Sequence, residues 1–237
     1  KLVYRKGNKI VAMSRDIQNI ISQGDKVIMI PNMADCDFFK PEGKLNSLLD
    51  EYGLQDEFVI AYLGTAGRAN HLEYLLTAAK ALQKENLHVK ILIAAAGSEL
   101  EHFRSEVIEA NLDNIIFVNY TNKEGVRQLL SVSDAVYVSF ANVPILASGS
   151  PNKFFDGIAS GKIVITNFEG WIKKEIETAD CGFSYNGNDT NDFINKIKPY
   201  LNDISLKNSA QMNARKLAED KFSRNGLITE WLQLFNS

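Results

Sequence analysis

The stretch Ser148-Gly-Ser-Pro-Asn-Lys-Phe-Phe-Asp-Gly-Ile-Ala-Ser-Gly161 has the pattern of a loop that leads into a short helix. Ser150 is a favourable N-cap residue, and Pro151 suits the first helical position, where its missing N–H removes no hydrogen bond. The apolar residues that follow predict one buried helix face, and Gly161 suits the C-terminal stop. The sequence therefore predicts a helix over Pro151–Ser160.

The first turn of this predicted helix has the features of an anion site. Asn152 and Lys153 occupy positions where free backbone N–H groups and the positive end of the helix dipole attract phosphate. A lysine in a first turn opposes the dipole, and an anionic ligand would resolve that conflict. Asp156 lies four residues after Asn152, on the same face of the helix. The alternative is an ordinary amphipathic helix with a Lys153–Asp156 pair on its surface.

A second candidate for anion binding is the stretch Phe58-Val-Ile-Ala-Tyr-Leu-Gly-Thr-Ala-Gly-Arg68, a buried strand followed by a glycine turn. Gly64 and Gly67 permit close backbone approach or a positive φ. A helix predicted over Ala69–Lys84 would offer N–H groups to an anion, and Arg68 could form a bidentate contact with phosphate. The pattern lacks the middle glycine of the dinucleotide fingerprint. The alternative is a strand-to-helix turn that merely needs glycine.

Short apolar strands alternate with helical patterns along the chain, which predicts an α/β fold with a mostly parallel, doubly wound sheet. The predicted strands are Ile10–Met13, Val27–Ile30, Phe58–Leu63, Val89–Ala95, Asn114–Tyr120, Ala135–Phe140, Ile163–Thr166 and Gly182–Tyr185. The other predicted helices are Glu99–Glu109, Lys123–Leu130, Asp192–Leu201, Leu206–Phe222 and one near Gly226–Phe235. With a strand order of 3-2-1-4 counted from the third strand of the chain, the two candidate anion loops would meet at one crevice.

Composition and charge narrow the class of protein. The chain has 237 residues, 45% hydrophobic and 23% charged, which is typical of a globular protein. Its net charge of −3 gives no reason to expect a nucleic-acid partner. Cys36 and Cys181 are too few for a disulfide scaffold and suit a reducing cytosol. No signal peptide or apolar run of membrane-spanning length is visible, and the absence of an initiating Met suggests a fragment or a processed chain.

Four stretches are similar to motifs of one known family. Ser150–Ile165 resembles the pattern around the family's ribose-binding acid, and Tyr62–Arg68 resembles its glycine loop. Asn114–Tyr120 followed by Ser133–Val138 is similar to its "F-x-G-Y … A-D-V" stretch, and Ile28–Asp35 resembles its interdomain passage. The family is the retaining glycosyltransferases of the GT-B fold, family four (glycosyl transferases group 1), and the likeness is to the C-terminal, donor-binding half of its members. Subgroups that build bacterial lipopolysaccharide or capsule sugars are the most similar.

The resemblance implies transfer of a sugar from a nucleotide-diphospho-sugar, most simply a UDP-sugar, with retention. It implies a donor phosphate contact at the glycine turn, ribose hydroxyls on Asp156, the base near Tyr120, and the sugar against the loop before the helix. The catalytic residues it implies are Lys153 and Arg68, which would counter the phosphate charge. The implied donor-binding residues are Gly64, Thr65, Gly67, Tyr120, Ser148, Gly149, Ser150, Asn152 and Asp156.

The chain departs from the family pattern at two places. Many members carry two glutamates eight positions apart, and here those positions are Ser148 and Asp156. The arginine and lysine that usually follow the first glycine are replaced by Thr65 and Asn70. Arg68 is the nearby cation that can compensate.

The resemblance also implies the organisation of the full-length enzyme. Residues 1–50 would be an interdomain segment and a remnant of a preceding domain, and residues 51–237 the donor-binding Rossmann-like domain with its C-terminal helices. The missing N-terminal domain would supply the acceptor site, so this piece alone is expected to be inactive. The implied acceptor is a glycan or a lipid-linked sugar, and the implied location is the cytoplasm, on the inner face of the membrane.

No cofactor and no metal are expected. Asp35-Cys36-Asp37 spells a D-x-D motif, but its place after Pro31-Asn32 favours a turn. Three alternatives stay open on the sequence alone. They are a non-catalytic nucleotide-binding module, a sugar-nucleotide epimerase or hydrolase of the same architecture, and, more remotely, an NAD-dependent enzyme.

Overall fold

The computed structural model describes residues 6–21 and 26–235. Residues 1–5 and 22–25 of the predicted segment 1–50, and residues 236 and 237 of the predicted segment 51–237, lie outside the described residues. A six-stranded parallel sheet forms the centre of the molecule, with the strand order β5-β4-β3-β6-β7-β8. Its strands are β3 (Phe58–Thr65), β4 (Val89–Ala96), β5 (Ile115–Phe117), β6 (Ala135–Val138), β7 (Ile163–Thr166) and β8 (Gly182–Ser184). The predicted order, with β6 beside β3, is confirmed.

Helices cover both faces of the sheet, which is why its strands are continuous apolar runs rather than alternating ones. One face packs against α3 (Glu73–Lys84), α4 (Leu100–Glu109) and α8 (Thr190–Asn202). The other packs against α5 (Lys123–Val132), α6 (Asn152–Ala159), α7 (Trp171–Thr178) and α9 (Ile204–Lys221). The fold is therefore a doubly wound, Rossmann-like α/β domain, as the sequence predicted.

The N-terminal residues form a small unit of their own and then a connector. β1 (Ile10–Ala12), α1 (Arg15–Ile21) and β2 (Val27–Met29) make a two-stranded parallel sheet with its own small core. The chain then reaches the main domain, where Ala34 pairs with Ser223 and Phe39 is buried. The remaining helices are α2 (Asn46–Tyr52) and α10 (Arg224–Gln233). Among the described helices, none has both the length and the apolar character needed to cross a membrane.

Some boundaries differ from the prediction. The helix predicted to begin at Ala69 begins at Glu73, because the chain first makes a turn in which the Asn70 N–H donates to the Gly67 carbonyl. His71 then takes a φ of 47°, which interrupts any helix at that point. Three short helices, α1, α2 and α7, were not predicted; each has seven or eight residues, of which only three are apolar. The predicted strand Asn114–Tyr120 is shorter, because only its middle residues pair with β4.

Candidate functional site

A cavity of about 170 Å³ lies at the carboxyl ends of β3 and β6, where the two predicted anion loops meet. Ligands of doubly wound folds bind in this crevice, because the chain leaves the sheet in opposite directions on its two sides. The polar residues that line the cavity are Gly64, Tyr120, Thr121, Asn152, Lys153 and Asp156. Its apolar wall is formed by Ala61, Leu63, Ala94, Val126, Leu130 and Val136.

The start of α6 is open toward this cavity. The helix begins at Asn152, and Pro151 takes the N-cap position without a side-chain cap. The prediction that Ser150 caps the helix is wrong, because its hydroxyl instead accepts a hydrogen bond from the Asn32 N–H at 3.2 Å. The backbone N–H groups of Asn152 and Lys153 lie in the first turn, where the helix itself offers them no acceptor. They are therefore available to an anion. The predicted stop at Gly161 is confirmed by its φ of 64°.

Lys153 is the cation of the cavity. Its Nζ is buried and has no hydrogen-bond partner among the described residues. It lies 4.0 Å from the centroid of the Tyr62 ring. Burial away from water lowers the pKa of Lys153 to about 7. The alternative interpretation, a Lys153–Asp156 pair on the surface, is therefore wrong.

Asp156 is the carboxylate of the cavity, one turn further along α6. Burial raises its pKa to about 7, and the neighbouring Lys123 and Arg224 oppose that shift while Asp35 adds to it. Within the described residues, Asp156 forms no ion pair. An acid and a base that line one cavity, each with a pKa displaced toward neutral pH and neither ion-paired within the described residues, are typical of a ligand site.

The glycine turn at the end of β3 forms the opposite wall. Gly64 has a φ of 135°, which an L side chain rarely adopts, and the Lys153 Cε lies 3.7 Å from the place a Cβ would take there. Gly67 has no positive φ, its nearest neighbour at the Cβ position is the Thr65 Cγ2 at an ordinary contact distance of 3.6 Å, and it does not line the cavity. The backbone freedom predicted for both glycines thus applies to Gly64 alone.

Arg68 and Thr65 lie outside the cavity. The Arg68 side chain is 93% exposed, and its Nε lies 3.6 Å from Glu99. The carbonyl of Thr65 accepts a hydrogen bond from the Tyr62 hydroxyl at 2.5 Å. The structure therefore brings Lys153, but not Arg68, to the crevice.

The loop before α6 is held by its neighbours. Ser148 lies in a 3₁₀ turn, Leu146–Ser148, and its hydroxyl donates to the Ile145 carbonyl. The Gly149 carbonyl accepts from the Trp171 indole at 2.7 Å. None of Ser148, Gly149 and Ser150 lines the cavity. Trp171 itself packs against Phe154, with ring centroids 5.6 Å apart.

Two site residues were not predicted from the sequence. Tyr62 sits in a buried strand, and nothing in the sequence separates it from the other strand residues. Asn32 belongs to the quoted interdomain passage, but its partner lies more than a hundred residues away. Its Nδ2 donates to the Ser150 carbonyl at 2.6 Å and to the Asn152 Oδ1 at 3.0 Å. The connector is thereby fastened to the mouth of the cavity.

The carboxylate of Asp35 stabilises the same connector. It accepts a hydrogen bond from the Phe38 N–H and pairs with Lys123 and Arg224. These neighbours lower the pKa of Asp35 against the opposing effect of its burial. The turn predicted for this stretch is confirmed, since the Phe39 N–H also donates to the Asp35 carbonyl.

The chain resembles known proteins in sequence and in structure. It is 26% identical over 199 residues to CapM of Staphylococcus aureus, described as a capsular polysaccharide biosynthesis glycosyltransferase, with 81% of this chain and 50% of the relative covered. The chain thus spans half the length of that curated relative.

Solved structures of low sequence identity share the fold. Sucrose-phosphate synthase from Thermosynechococcus elongatus superposes with a TM-score of 0.81 at 18% identity, covering 99% of this chain and 59% of the other. Anabaena HepE, solved in complex with UDP and glucose, gives a TM-score of 0.83 at 16% identity, with 99% and 65% covered. The C-terminal domain of the group 1 protein LpcC from Francisella tularensis gives a TM-score of 0.66 at 17% identity, with 80% and 98% covered.

The family model described as "Glycosyl transferases group 1" matches residues 48–217, a span that contains the six-stranded sheet and every residue that lines the cavity. This match covers more than half of the 237 residues. The chain belongs to the glycosyl transferases group 1 family.

Proposed function

We propose that this chain binds a nucleotide-diphospho-sugar, most simply a UDP-sugar, and contributes the donor half of an enzyme that transfers the sugar with retention. The observation that carries the proposal is that Lys153 lines the crevice at the start of α6 and that its Nζ is buried with no hydrogen-bond partner among the described residues. Leaving a buried charged group without a partner costs several kcal/mol. A buried lysine without a partner therefore indicates a ligand that supplies a negative charge. A diphosphate supplies that charge and also suits the open helix start.

The rest of the cavity suits the remaining parts of such a donor. The Asp156 carboxylate accepts hydrogen bonds from the two ribose hydroxyls when it is ionised. The apolar wall beside Tyr120 and Val126 accommodates the face of the base. Two solved relatives in fold, HepE and TarM of Staphylococcus aureus, were crystallised with UDP.

The chemistry asked of the protein is the stabilisation of charge on the leaving diphosphate. As the bond between the sugar and the phosphate breaks, negative charge grows on the outer phosphate, and the acceptor attacks the same face of the sugar. Lys153 and the first N–H groups of α6 are fixed before the reaction, so they stabilise this charge without reorganising. Removal of one such donor commonly costs ~10²–10³ in rate.

The acceptor side belongs to the whole enzyme rather than to this cavity. We propose that a preceding domain, fastened through residues 1–50, provides the acceptor site, that the acceptor is a glycan or lipid-linked sugar, and that transfer occurs in the cytoplasm at the inner face of the membrane. The cavity argues against an epimerase, because among the described residues its lining carries one carboxylate, Asp156, and no histidine for acid–base chemistry.

The test is UDP binding to the 237-residue chain, followed by thermal unfolding and calorimetry. UDP at about 100 times its Kd should stabilise the fold by about 2.7 kcal/mol. Lys153→Met should weaken UDP binding about 10- to 150-fold, the equivalent of one charge-assisted hydrogen bond of 1.5–3 kcal/mol.

Lys162→Met is the matched control. Lys162 is also buried, and burial lowers its pKa to about 8, but it precedes β7 at the opposite end of the sheet. This variant should bind UDP as the unaltered chain does. No response of the unaltered chain to millimolar UDP or GDP, or an equal loss in both variants, would contradict the proposal.

A further inference from the structure

Tyr62 lies directly beneath the Lys153 side chain. The tyrosine is fully buried on β3, and its ring centroid is 4.0 Å from the Lys153 Nζ. Because this Nζ has no hydrogen-bond partner among the described residues, the ring face is the polar surface that meets the cation. An aromatic ring attracts an ammonium group without accepting its N–H bonds in the way a carboxylate does. All three N–H groups thus stay available to a ligand.

The other end of Tyr62 holds the glycine turn. Its hydroxyl donates to the Thr65 carbonyl at 2.5 Å, one residue beyond Gly64. The stem of Lys153 crosses the sheet edge at this same glycine, where its Cε lies 3.7 Å from the place of a Cβ. One buried side chain therefore fixes both the turn and the nitrogen that reaches over it.

The charged groups around Lys153 leave the ring as its principal stabiliser. Asp156 lies on the same helix, and the charges that act on it are those of Lys123, Asp35 and Arg224. The nearest titratable group on β6 is Tyr137, whose ring centroid is 6.5 Å from that of Tyr62 and whose hydroxyl bonds with Tyr185. Burial raises the pKa of both Tyr62 and Tyr137, so both rings are neutral at physiological pH.

We propose that Tyr62 is a positioning residue of the donor site, holding the Lys153 nitrogen on its ring face and the Thr65 carbonyl on its hydroxyl, so that the lysine is presented to the diphosphate. This inference rests on the proposed function of the cavity. It separates two roles in one residue: the ring acts on the cation, and the hydroxyl acts on the turn.

The experiment measures UDP affinity by calorimetry in Tyr62→Leu, Tyr62→Phe and Tyr137→Leu, with the unfolding midpoint of each. Tyr62→Leu should weaken UDP binding by up to about 30-fold, the equivalent of a desolvated cation–π contact. Tyr62→Phe keeps the ring and should stay within about three-fold of the unaltered chain. Tyr137→Leu removes an equally buried tyrosine that does not touch Lys153, and it should leave UDP affinity unchanged.

A fluorinated series keeps the test decisive if Tyr62→Leu does not fold. Fluorination of the phenylalanine introduced at position 62 weakens the ring's attraction for cations while nearly preserving its shape. UDP affinity should fall with each added fluorine, which a purely structural role would not produce. If the unaltered chain binds no UDP, the proposed function fails. If it binds UDP and neither the fluorinated series nor Tyr62→Leu changes the affinity, the role of Tyr62 alone is refuted.

Discussion

Two charged groups at opposite ends of the central sheet, Asp134 and Lys153, are held in opposite ways. At the amino end, Asp134 is 2% exposed and fully engaged: it accepts from the Val59 N–H at 2.9 Å and pairs with Lys44 and Lys207 at 3.2 and 3.3 Å. At the carboxyl end, the Nζ of Lys153 is buried and has no hydrogen-bond partner among the described residues. The paired end stabilises the fold, whereas the unpaired end reserves its charge for a ligand.

This difference has an energetic consequence. Buried charged groups that form hydrogen bonds or ion pairs with one another stabilise the fold or leave its stability unchanged. A buried charge without such a partner lowers the stability of the fold until a ligand binds. We therefore expect substitutions at the amino end to destabilise the protein without changing ligand affinity. Substitutions at the carboxyl end should do the reverse.

The largest change in stability is expected for Asp134→Ala. The variant leaves the Val59 N–H without an acceptor and removes the partner of two lysines, so the free energy of unfolding should fall by about 2–4 kcal/mol. Chemical denaturation measures this loss, and calorimetry on the folded variant should give the UDP affinity of the unaltered chain. Asp134→Asn retains an acceptor for Val59 and should lose less. A variant that kept its stability but lost UDP binding would break the distinction between the two ends.

Lys153→Met should stabilise the fold at pH 7 while weakening UDP binding about 10- to 150-fold. Its folded pKa of about 7 lies below the ordinary 10.5, so the unfolded state binds more protons between these values and stability rises with pH across that window. Removing the amine should recover about 1–3 kcal/mol at neutral pH and below. Thermal unfolding midpoints measured from pH 6 to 10 report this gain in stability, because each kcal/mol shifts the midpoint by about 2–4 °C. A lower midpoint in the variant at pH 7 would mean that the lysine is structural.

Asp156→Asn should remove a pH dependence of the opposite sign. The folded pKa of about 7 lies above the ordinary 3.8, so the folded state binds more protons between these values and stability falls as pH rises through that window. The amide cannot ionise, so the variant should show a flatter stability profile between pH 4 and 7. It should also weaken UDP binding about 10-fold through the ribose contact. An unchanged pH profile would show that Asp156 is ordinarily solvated.

The smallest effect is expected for Asn32→Ala. The variant removes the hydrogen bonds of Asn32 Nδ2 to the Ser150 carbonyl and the Asn152 Oδ1, and the Asn32 N–H keeps its bond to the Ser150 hydroxyl. Loss of one or two such bonds amounts to about 1 kcal/mol, so UDP affinity should fall no more than five-fold. Calorimetry measures it, and Asn225→Ala, which removes an exposed contact to Asp37, serves as the control. A loss as large as that of Lys153→Met would make Asn32 part of the anion site itself.

The sequence was sufficient for the sheet because its strands are continuous apolar runs separated by recognisable turns. All eight predicted strands are present, and the meeting of the Gly64 turn with the Asn152–Ala159 helix is confirmed. Both follow from local patterns plus the rules of parallel sheets.

The details of the site depended on contacts between distant residues. The cap assigned to Ser150 was wrong because Asn32, 118 positions away, takes its hydroxyl. The contact between the Lys153 Nζ and the Tyr62 ring joins two residues that are 91 positions apart in the sequence. The local sequence around either residue does not indicate this contact. Arg68 was expected at the phosphates, but a turn that local pattern did not reveal carries it to the surface beside Glu99.

The central claim is that the Lys153 nitrogen is reserved for the donor diphosphate, and proton uptake tests it most directly. At about pH 8 an amine with a pKa of about 7 is mostly neutral, and binding of a diphosphate must recharge it. Calorimetry of UDP binding in buffers of different ionisation enthalpy should therefore report uptake of nearly one proton per UDP in the unaltered chain and none in Lys153→Met. Binding without proton uptake, or the same uptake in both proteins, would contradict the claim.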